Sequence, residues 1–172
     1  MISICTQAVV ELLSGHLHCA DGGCSLVVGP RSQEIADLLS ASAADYPFQA
    51  EPDPINLIGP DHDWCGRVES CEQILFVDSF AEHSKLQRQQ VLSSVRDTVA
   101  CRILHLESEL IGKEPWQLTD SLSLGFRRID CGRHKQTPWQ LYEFHIANYK
   151  STPDWLNSDH WSNPQEWDRH RW

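Results

Sequence analysis

Long apolar runs and an excess of basic side chains are both absent from this chain of 172 residues. The longest apolar runs have the length of a strand, so the sequence predicts no membrane-spanning helix. Lysine and arginine together number 14 against 24 acidic residues, and the formal net charge is −10. Because such a surface repels a phosphate backbone, we expect neither a nucleic-acid partner nor a membrane partner.

Several short motifs that carry chemistry are also missing. The seven cysteines include no CxxC pair, and there is no phosphate-binding loop, nucleophile elbow or HExxH helix. The first residues, MISICTQAVVELLSG, have no basic segment ahead of their apolar pattern, and Glu11 interrupts that pattern. These features argue against a signal peptide and predict a cytoplasmic protein with buried, reduced cysteines.

One short stretch concentrates residue types that bind zinc, namely His16, His18, Cys19 and Cys24. The chain contains no second pair of such residues at a standard spacing that would complete a zinc site. A helix end followed by a polar turn explains the stretch equally well, and we therefore predict no metal site. Metal binding by these four residues is the alternative interpretation.

The clearest pattern in the chain is a strand, a helix and a second strand between Gln73 and Glu107. The run ILFV at 74–77 predicts a strand that is buried on both faces. Ser84 and Gln87 have the spacing of a capping box, which predicts the start of the helix. The run ILHL then predicts the second strand, so this unit indicates a parallel sheet.

Further elements are predicted on both sides of this unit. Helices are predicted from apolar spacing over 4–13, from Ser32 onward and over 116–124. Strands are predicted at 25–29 and 46–51, and the segment 55–58 is either a short strand or a loop. Two last strands at 126–131 and 140–149, joined by GRHKQTP, predict an antiparallel hairpin.

The order of these elements resembles the class I S-adenosylmethionine-dependent methyltransferases. The matching segments are SLVVGP for the first strand, QILFVDSFAEH for the fourth, and LSLGFRRID with WQLYEFHIANYK for the last hairpin. The likeness covers roughly residues 20 to 150. It implies a Rossmann-like α/β fold whose mostly parallel sheet ends in a C-terminal antiparallel hairpin. The implied strand order is 3-2-1-4-5-7-6, with the third strand short or absent.

The resemblance implies S-adenosylmethionine as a candidate cofactor, with Gly29 and Glu51 as the residues that would bind it. Gly29 holds the first glycine position of the cofactor loop, and Glu51 ends the second strand, where an acid bonds ribose hydroxyls. The loop departs from the pattern, because Val27 replaces an acid and Arg31 and Gln33 replace two glycines. Their long side chains would narrow the cofactor pocket. An exposed strand-end carboxylate is the alternative interpretation of Glu51.

Asp78 and His83 are the candidate catalytic residues. Asp78 follows the fourth strand of the implied order, and open α/β sheets bind ligands at the carboxyl ends of their strands. His83 lies just beyond it with Glu82 beside it, which is the composition of an acid–base pair. A strand-end aspartate that caps the following turn explains Asp78 without any chemistry.

The last segment, 151–172, is rich in tryptophan. It resembles the Trp-rich tail of an uncharacterised family of small gammaproteobacterial proteins, which have no assigned activity. Its tryptophans are Trp155, Trp161, Trp167 and Trp172. Because these rings would form an exposed apolar patch prone to association in water, we expect the tail to pack on the methyltransferase-like domain of residues 1–150. The alternative is a homodimer or protein-partner surface.

These observations lead to two hypotheses on function. The first is a methyltransferase-like protein of bacterial type whose degenerate cofactor loop leaves it as a non-catalytic binding or interaction protein. The second is a divergent S-adenosylmethionine-dependent methyltransferase that uses Glu51 to bind ribose.

Overall fold

The computed structural model describes residues 4–17, 23–42, 46–58, 71–98, 102–108 and 116–149. The Trp-rich tail and the proposed boundary before it lie outside the described residues. The described elements, in chain order, are α1 (Thr6–Ser14), β1 (Cys24–Val28), α2 (Ser32–Ser42), β2 (Phe48–Glu51), a 3-10 helix (Pro54–Leu57), β3 (Cys71–Val77), α3 (Lys85–Thr98), β4 (Arg102–Ser108), α4 (Leu118–Ser123), β5 (Arg127–His134), β6 (Thr137–His145) and α5 (Ile146–Tyr149).

Six strands form one mixed sheet in the order β2-β1-β3-β4-β6-β5. The first four of these strands are parallel, and β6 runs antiparallel to both β4 and β5. This order is the predicted one, with its third strand missing from the described residues. The segment 55–58, left open between strand and loop, instead contributes to the 3-10 helix. Asp53 begins that helix by accepting a hydrogen bond from Ile55 N, and Pro54 occupies its first turn.

Apolar side chains cover both faces of the sheet. Helices α1 and α2 pack on one face, where Leu13 and Ile35 are buried against the central strands. Helix α3 packs on the other face, where Val91 and Val95 are fully buried. Every residue of β4 is buried, which explains why the central strands have continuous apolar runs in the sequence.

Helix α3 begins where the capping-box spacing predicted. The backbone N–H of Ser84 donates to Oε1 of Gln87 at 2.9 Å, and the N–H of Gln87 donates to Oγ of Ser84 at 3.3 Å. This reciprocal pair satisfies two backbone donors at the helix start and fixes the end of the loop that follows β3. None of the described helices combines the length and the apolar composition that crossing a membrane requires.

Strand β5 extends three residues beyond its predicted end and β6 begins three residues before its predicted start, which leaves only Lys135 and Gln136 to form the turn between them. Lys135 adopts a φ of +57°, as tight hairpin turns require. The predicted seven-residue connection GRHKQTP is therefore wrong, because most of its residues continue the two strands. Strand β6 also ends earlier than predicted: Ile146 begins α5 and is 54% exposed.

A chain of hydrogen-bonded polar side chains, all buried except Arg127, lies at the amino ends of the parallel strands. Glu143 accepts a hydrogen bond from Nε of Arg102 at 2.9 Å and from Nη2 of Arg127 at 2.6 Å. Arg102 also donates to Oε1 of Gln73 at 3.1 Å, and Gln73 donates to Oγ of Ser25 at 2.9 Å. These bonds link β5, β6, β4, β3 and β1 in sequence. The carboxyl ends of the same strands carry the candidate site.

Candidate functional site

Gly29 lies where the carboxyl ends of β1, β2 and β3 are close together. Its φ is +134°, a conformation that L side chains rarely adopt. A Cβ on this residue would lie 2.3 Å from the carbonyl oxygen of Val77. Its N–H donates to the carbonyl oxygen of Glu51 at 2.9 Å. The fold itself therefore requires glycine here, and this turn is held against the ends of both neighbouring strands.

Arg31 reaches from the loop after β1 to the loop after β3. Its Nη1 donates to the carbonyl oxygen of Ile4 at 2.6 Å and lies 3.4 Å from Oγ1 of Thr6. Its Nη2 lies 3.5 Å from Oδ2 of Asp78. One guanidinium group thus ties the start of α1 to the end of β3, across the carboxyl ends of the parallel strands.

Gln33, the other long side chain in the loop pattern, behaves differently from Arg31. Its amide donates to Oδ1 of Asp37 at 2.8 Å, one turn along α2, and both groups are exposed. The sequence predicted that the side chains of Arg31 and Gln33 would together narrow the cofactor pocket. The contact across the strand ends is made by Arg31.

Asp78 is buried at the end of β3 with a φ of +48°. Its Oδ1 accepts a hydrogen bond from the N–H of Ser108 at 2.9 Å, and its Oδ2 accepts one from the hydroxyl of Ser108 at 3.3 Å. Burial raises the pKa of Asp78, although the bonds from Ser108 and the charges of Arg31 and Arg88 oppose this rise. The protein's own groups engage both carboxylate oxygens, so Asp78 connects β3 to β4.

Glu51 ends β2 beside a depression of about 370 Å³. Its Oε1 accepts hydrogen bonds from Nδ2 of Asn56 at 2.8 Å and from the N–H of Asp53 at 3.2 Å. These bonds fix the carboxylate against the 3-10 helix and leave Oε2 without a donor among the described residues. The depression is lined by the loop after β1, the start of α2 and the residues that flank Glu51: Pro30, Arg31, Ser32, Gln33, Glu34, Ala50 and Pro52.

His83 pairs with a carboxylate from another loop, and the partner is Asp53. Nε2 of His83 lies 3.4 Å from Oδ1 of Asp53, and the histidine side chain is 16% exposed. Nδ1 of His83 is buried without a partner in the part of the chain that the structure describes. Because a carboxylate only accepts hydrogen bonds, this contact needs the proton on Nε2 of His83. The structure therefore brings His83 together with Asp53, while it brings Asp78 together with Ser108 and Arg31.

The ring of Phe80 is surrounded by buried polar side chains that the sequence did not predict. The guanidinium carbon of Arg88 lies 5.1 Å from the ring centre of Phe80 and 4.5 Å from that of Trp116. Nη2 of Arg88 also donates to Oε1 of Glu107, which forms a buried ion pair. His105 meets the same ring edge-on, at 5.7 Å between ring centres. Cation–π contact and ion pairing together hold Arg88 in place.

Three nitrogen atoms of this cluster have no hydrogen-bond partner in the described parts of the chain. They are Nε of Arg88 and both ring nitrogens of His105. Burial lowers the pKa of His105 well below its usual value, and the charge of Arg88 lowers it further. His105 is therefore neutral near pH 7. Its position inside the apolar run ILHL was the one sequence feature that could have marked it.

The alternative metal cluster is only partly within the described residues, because His18 and Cys19 lie outside them. Nε2 of His16 lies 3.3 Å from Oδ2 of Asp130, whereas Sγ of Cys24 lies 2.8 Å from Sγ of Cys71. The described ranges contain no group of three or more histidine, cysteine, aspartate or glutamate side chains that could hold a metal ion. His16 and Cys24 therefore take their partners from different strands.

Comparison with known proteins gives a family. A family model described as "Family of unknown function (DUF6231)" matches residues 12–172. The chain belongs to this family. No curated protein matches the chain.

Solved structures show which fold the DUF6231 chain shares. Magnesium protoporphyrin IX methyltransferase (ChlM) from Synechocystis PCC 6803, with bound SAH, is 11% identical, with 80% of each chain covered and a TM-score of 0.51. A protein from Sulfolobus solfataricus, provisionally assigned as a type 11 methyltransferase, is 14% identical, covers 86% of this chain and 95% of its own, and has a TM-score of 0.48. At such low identity the likeness to ChlM shows a methyltransferase-like α/β fold alone.

Proposed function

We propose that this chain is a methyltransferase-like binding protein that does not transfer methyl groups. The observation that carries the proposal is the reach of Arg31 from the loop after β1 to Asp78 after β3. Open α/β sheets bind their ligands at the carboxyl ends of the strands. In this chain that end is crossed by a side chain which is itself bonded to Ile4 and Thr6.

The residues present do not fit the methionine end of S-adenosylmethionine. A ligand there needs close approach to the backbone of the loop after β1, which is why glycine suits such loops. Arg31 supplies a long charged side chain instead, and its Nη2 lies 3.5 Å from the carboxylate of Asp78 at the end of β3. We therefore derive no methyl-transfer step for this site.

The depression beside Glu51 supports a binding role. Its volume of about 370 Å³ lies within the range of small-molecule sites. Oε1 of Glu51 is fixed by Asn56 and by the backbone of Asp53, so the carboxylate is already oriented. Ala50 and Pro52 line the depression, so a ligand held there would lie beside Glu51 and meet Arg31, Gln33 and Glu34 as its charged and polar neighbours.

Calorimetric titration of the full chain with S-adenosylmethionine and S-adenosylhomocysteine tests the proposal. We expect neither heat of binding nor a change of melting temperature at millimolar ligand, because Arg31 occupies the cofactor position. Tight binding by the wild-type chain that is lost in Glu51→Ala would overturn the proposal.

A divergent S-adenosylmethionine-dependent methyltransferase is the second candidate, and one observation favours it. Glu51 ends β2, and an acid at this place bonds ribose hydroxyls in dinucleotide-binding folds. Glu51→Gln separates the two candidates further. In a methyltransferase it should weaken adenosyl-ligand binding by at least tenfold, whereas in our proposal there is no such binding to weaken.

We also propose that the protein acts in the cytoplasm.

We further propose that the tail of residues 151–172 packs on the domain of residues 1–150. Apolar side chains on the described surface offer contacts for tryptophan rings, since Leu118 and Leu122 of α4 are 37% and 52% exposed. Replacing Trp155 and Trp161 together by alanine should lower the melting temperature without changing the oligomeric state. A change from dimer to monomer in light scattering would instead support the partner surface.

A further inference from the structure

Two buried cysteines face each other at the amino ends of β1 and β3. Cys24 is the first residue of β1, Cys71 is the first residue of β3, and their Sγ atoms lie 2.8 Å apart. The two residues are 6% and 5% exposed. An S–S bond is about 2.05 Å long, so a small movement of the two side chains suffices to form one.

A register shift between β1 and β3 creates this contact. Leu26 pairs with Ile74 and Ser25 with Gln73, so an unbroken register would pair Cys24 with Glu72. The irregularity between Cys24 and Ser25 pairs Cys24 with Cys71 instead. Cα partners on neighbouring strands lie about 5 Å apart, which is inside the range that disulfides span.

The shift also determines the face on which Cys71 lies. Strict alternation along β3 would place Cys71 on the same side as Leu75 and Val77, which pack with α1 and α2. Cys71 instead belongs to the opposite apolar cluster, which contains Cys24 and Leu26. The backbone irregularity therefore brings both thiols to one face of the sheet.

We propose that Cys24 and Cys71 form a dithiol that closes to an intramolecular disulfide when a peroxide oxidant reaches the amino ends of β1 and β3. A disulfide here would join the two central strands β1 and β3 covalently. It would also close a long loop of the chain, since the two cysteines are 47 positions apart. This inference is independent of the ligand site, which lies at the opposite ends of the strands.

The reaction balances with hydrogen peroxide as the oxidant. The thiolate of one cysteine attacks a peroxide oxygen, the O–O bond breaks, and a sulfenic acid and hydroxide form. The second thiol then attacks the sulfenic sulfur, the S–S bond forms, and the oxygen leaves as water. Two thiols are oxidised and one peroxide is reduced to two waters. Burial and the neighbouring Cys24 raise the pKa of Cys71 to about 12, so closure at neutral pH is slow.

Peptide mapping of the full chain tests the proposal. The reduced protein is treated with hydrogen peroxide, its remaining thiols are alkylated, and its peptides are identified by mass before and after reduction. We expect a linked Cys24–Cys71 peptide that dithiothreitol abolishes. We also expect a melting temperature higher by about 5 °C or more in the oxidised protein, because the loop closed is long.

Three variants make the result specific. Cys24→Ser and Cys71→Ser should each lose the rise of melting temperature, whereas Cys131→Ser, at an exposed position on β5, should keep it. If the buried serine variants do not fold, Cys24→Ala and Cys71→Ala replace them in the same comparison of melting temperatures. If the alanine variants do not fold either, the peptide map of the wild-type protein decides the question by itself. The proposal is overturned if Cys131 is oxidised while Cys24 and Cys71 remain alkylated, or if either links to a different cysteine.

Discussion

Ser108 holds the carboxylate of Asp78 with two hydrogen bonds, and this pair joins the carboxyl ends of β3 and β4. The N–H and the hydroxyl of Ser108 donate to the two carboxylate oxygens at 2.9 and 3.3 Å. In return, the N–H of Asp78 donates to the carbonyl oxygen of Leu106 at 3.0 Å. These bonds explain how Asp78 holds a φ of +48°, which few residues other than glycine adopt.

Replacement of Asp78 should show this structural role directly. We expect Asp78→Asn to cost less than about 1 kcal/mol of unfolding free energy, because asparagine tolerates positive φ and its oxygen still accepts from Ser108. It also removes a charge that burial disfavours, as the raised pKa of Asp78 indicates. Asp78→Ala leaves the N–H of Ser108 unsatisfied and should cost about 2–4 kcal/mol. Urea denaturation at neutral pH measures both, and equal losses would contradict the role.

Glycine at position 29 is expected to be irreplaceable for folding. Gly29→Ala would place a Cβ 2.3 Å from the carbonyl oxygen of Val77 at a φ of +134°, so we expect a loss of at least about 3 kcal/mol. Gly15→Ala is the matched control, since its Cβ would lie 3.6 Å from Leu12 O and its φ is −71°. That variant should change the unfolding free energy by less than about 1 kcal/mol. Similar melting temperatures for the two variants would show that the turn at Gly29 relaxes.

The central strands and the start of α3 were predictable because their causes are local. ILFV at 74–77 is apolar without interruption because both faces of β3 are covered. Ser84 and Gln87 form a capping box whose two members lie within four residues of each other in the sequence. The hairpin was harder, because Arg133 and His134 have a polar, turn-like composition although they continue β5. An edge strand with one exposed face looks much like a loop in sequence.

The candidate site was predicted only in part, since its contacts join distant parts of the chain. Asp78 and His83 were found from their place after an apolar run, but their partners Arg31 and Asp53 come from other strands' loops. Arg88 was missed because the stretch around it is polar, although its own side chain is buried between Phe80 and Trp116. Long-range pairing of this kind leaves no periodic trace in the sequence.

His105 should make the protein less stable in mild acid. Its pKa is lowered in the folded state, first by burial and then by the charge of Arg88, while in the unfolded chain it is near 6.5. The unfolded state therefore binds the proton more readily, and stability falls as pH decreases below about 6.5. Between pH 7.5 and 5.5 we expect a loss of roughly 1 kcal/mol from this residue.

The variant His105→Leu isolates that contribution. Leucine cannot take up a proton, so the difference in unfolding free energy between pH 7.5 and 5.5 should be smaller in the variant by roughly 1 kcal/mol. At pH 7.5 the variant should be at least as stable as the wild type, since no described hydrogen bond to the imidazole is lost. His145→Gln, on the partly exposed end of β6, is the control. An unchanged pH dependence in His105→Leu would mean that His105 has the same pKa in the folded and unfolded states, and so that burial does not lower it.

The two arginines bonded to Glu143 differ in burial, and this difference predicts unequal effects. The side chain of Arg102 is 7% exposed, whereas that of Arg127 is 62% exposed. Arg102→Met removes a buried cation that also bonds Gln73 and the carbonyl oxygen of His16, and it takes away the arginine partner of Oε1 of Glu143. We expect a loss of about 3–5 kcal/mol for this variant. Arg127→Met breaks a largely solvated pair and should cost at most about 1 kcal/mol.

The pH dependence of the variant Glu143→Gln tests the same network of Glu143, Arg102 and Arg127. Burial alone would raise the pKa of Glu143, but the hydrogen bonds from Arg127 and Arg102 outweigh it and lower the pKa overall. A lowered carboxyl pKa stabilises the fold above its unfolded value of about 4.5, and this stabilisation is lost as pH falls through the folded value. Glu143→Gln should therefore flatten the acid limb of stability, as measured by urea denaturation from neutral pH downward. If Arg102→Met and Arg127→Met instead lose equal stability at neutral pH, burial does not decide the strength of this network.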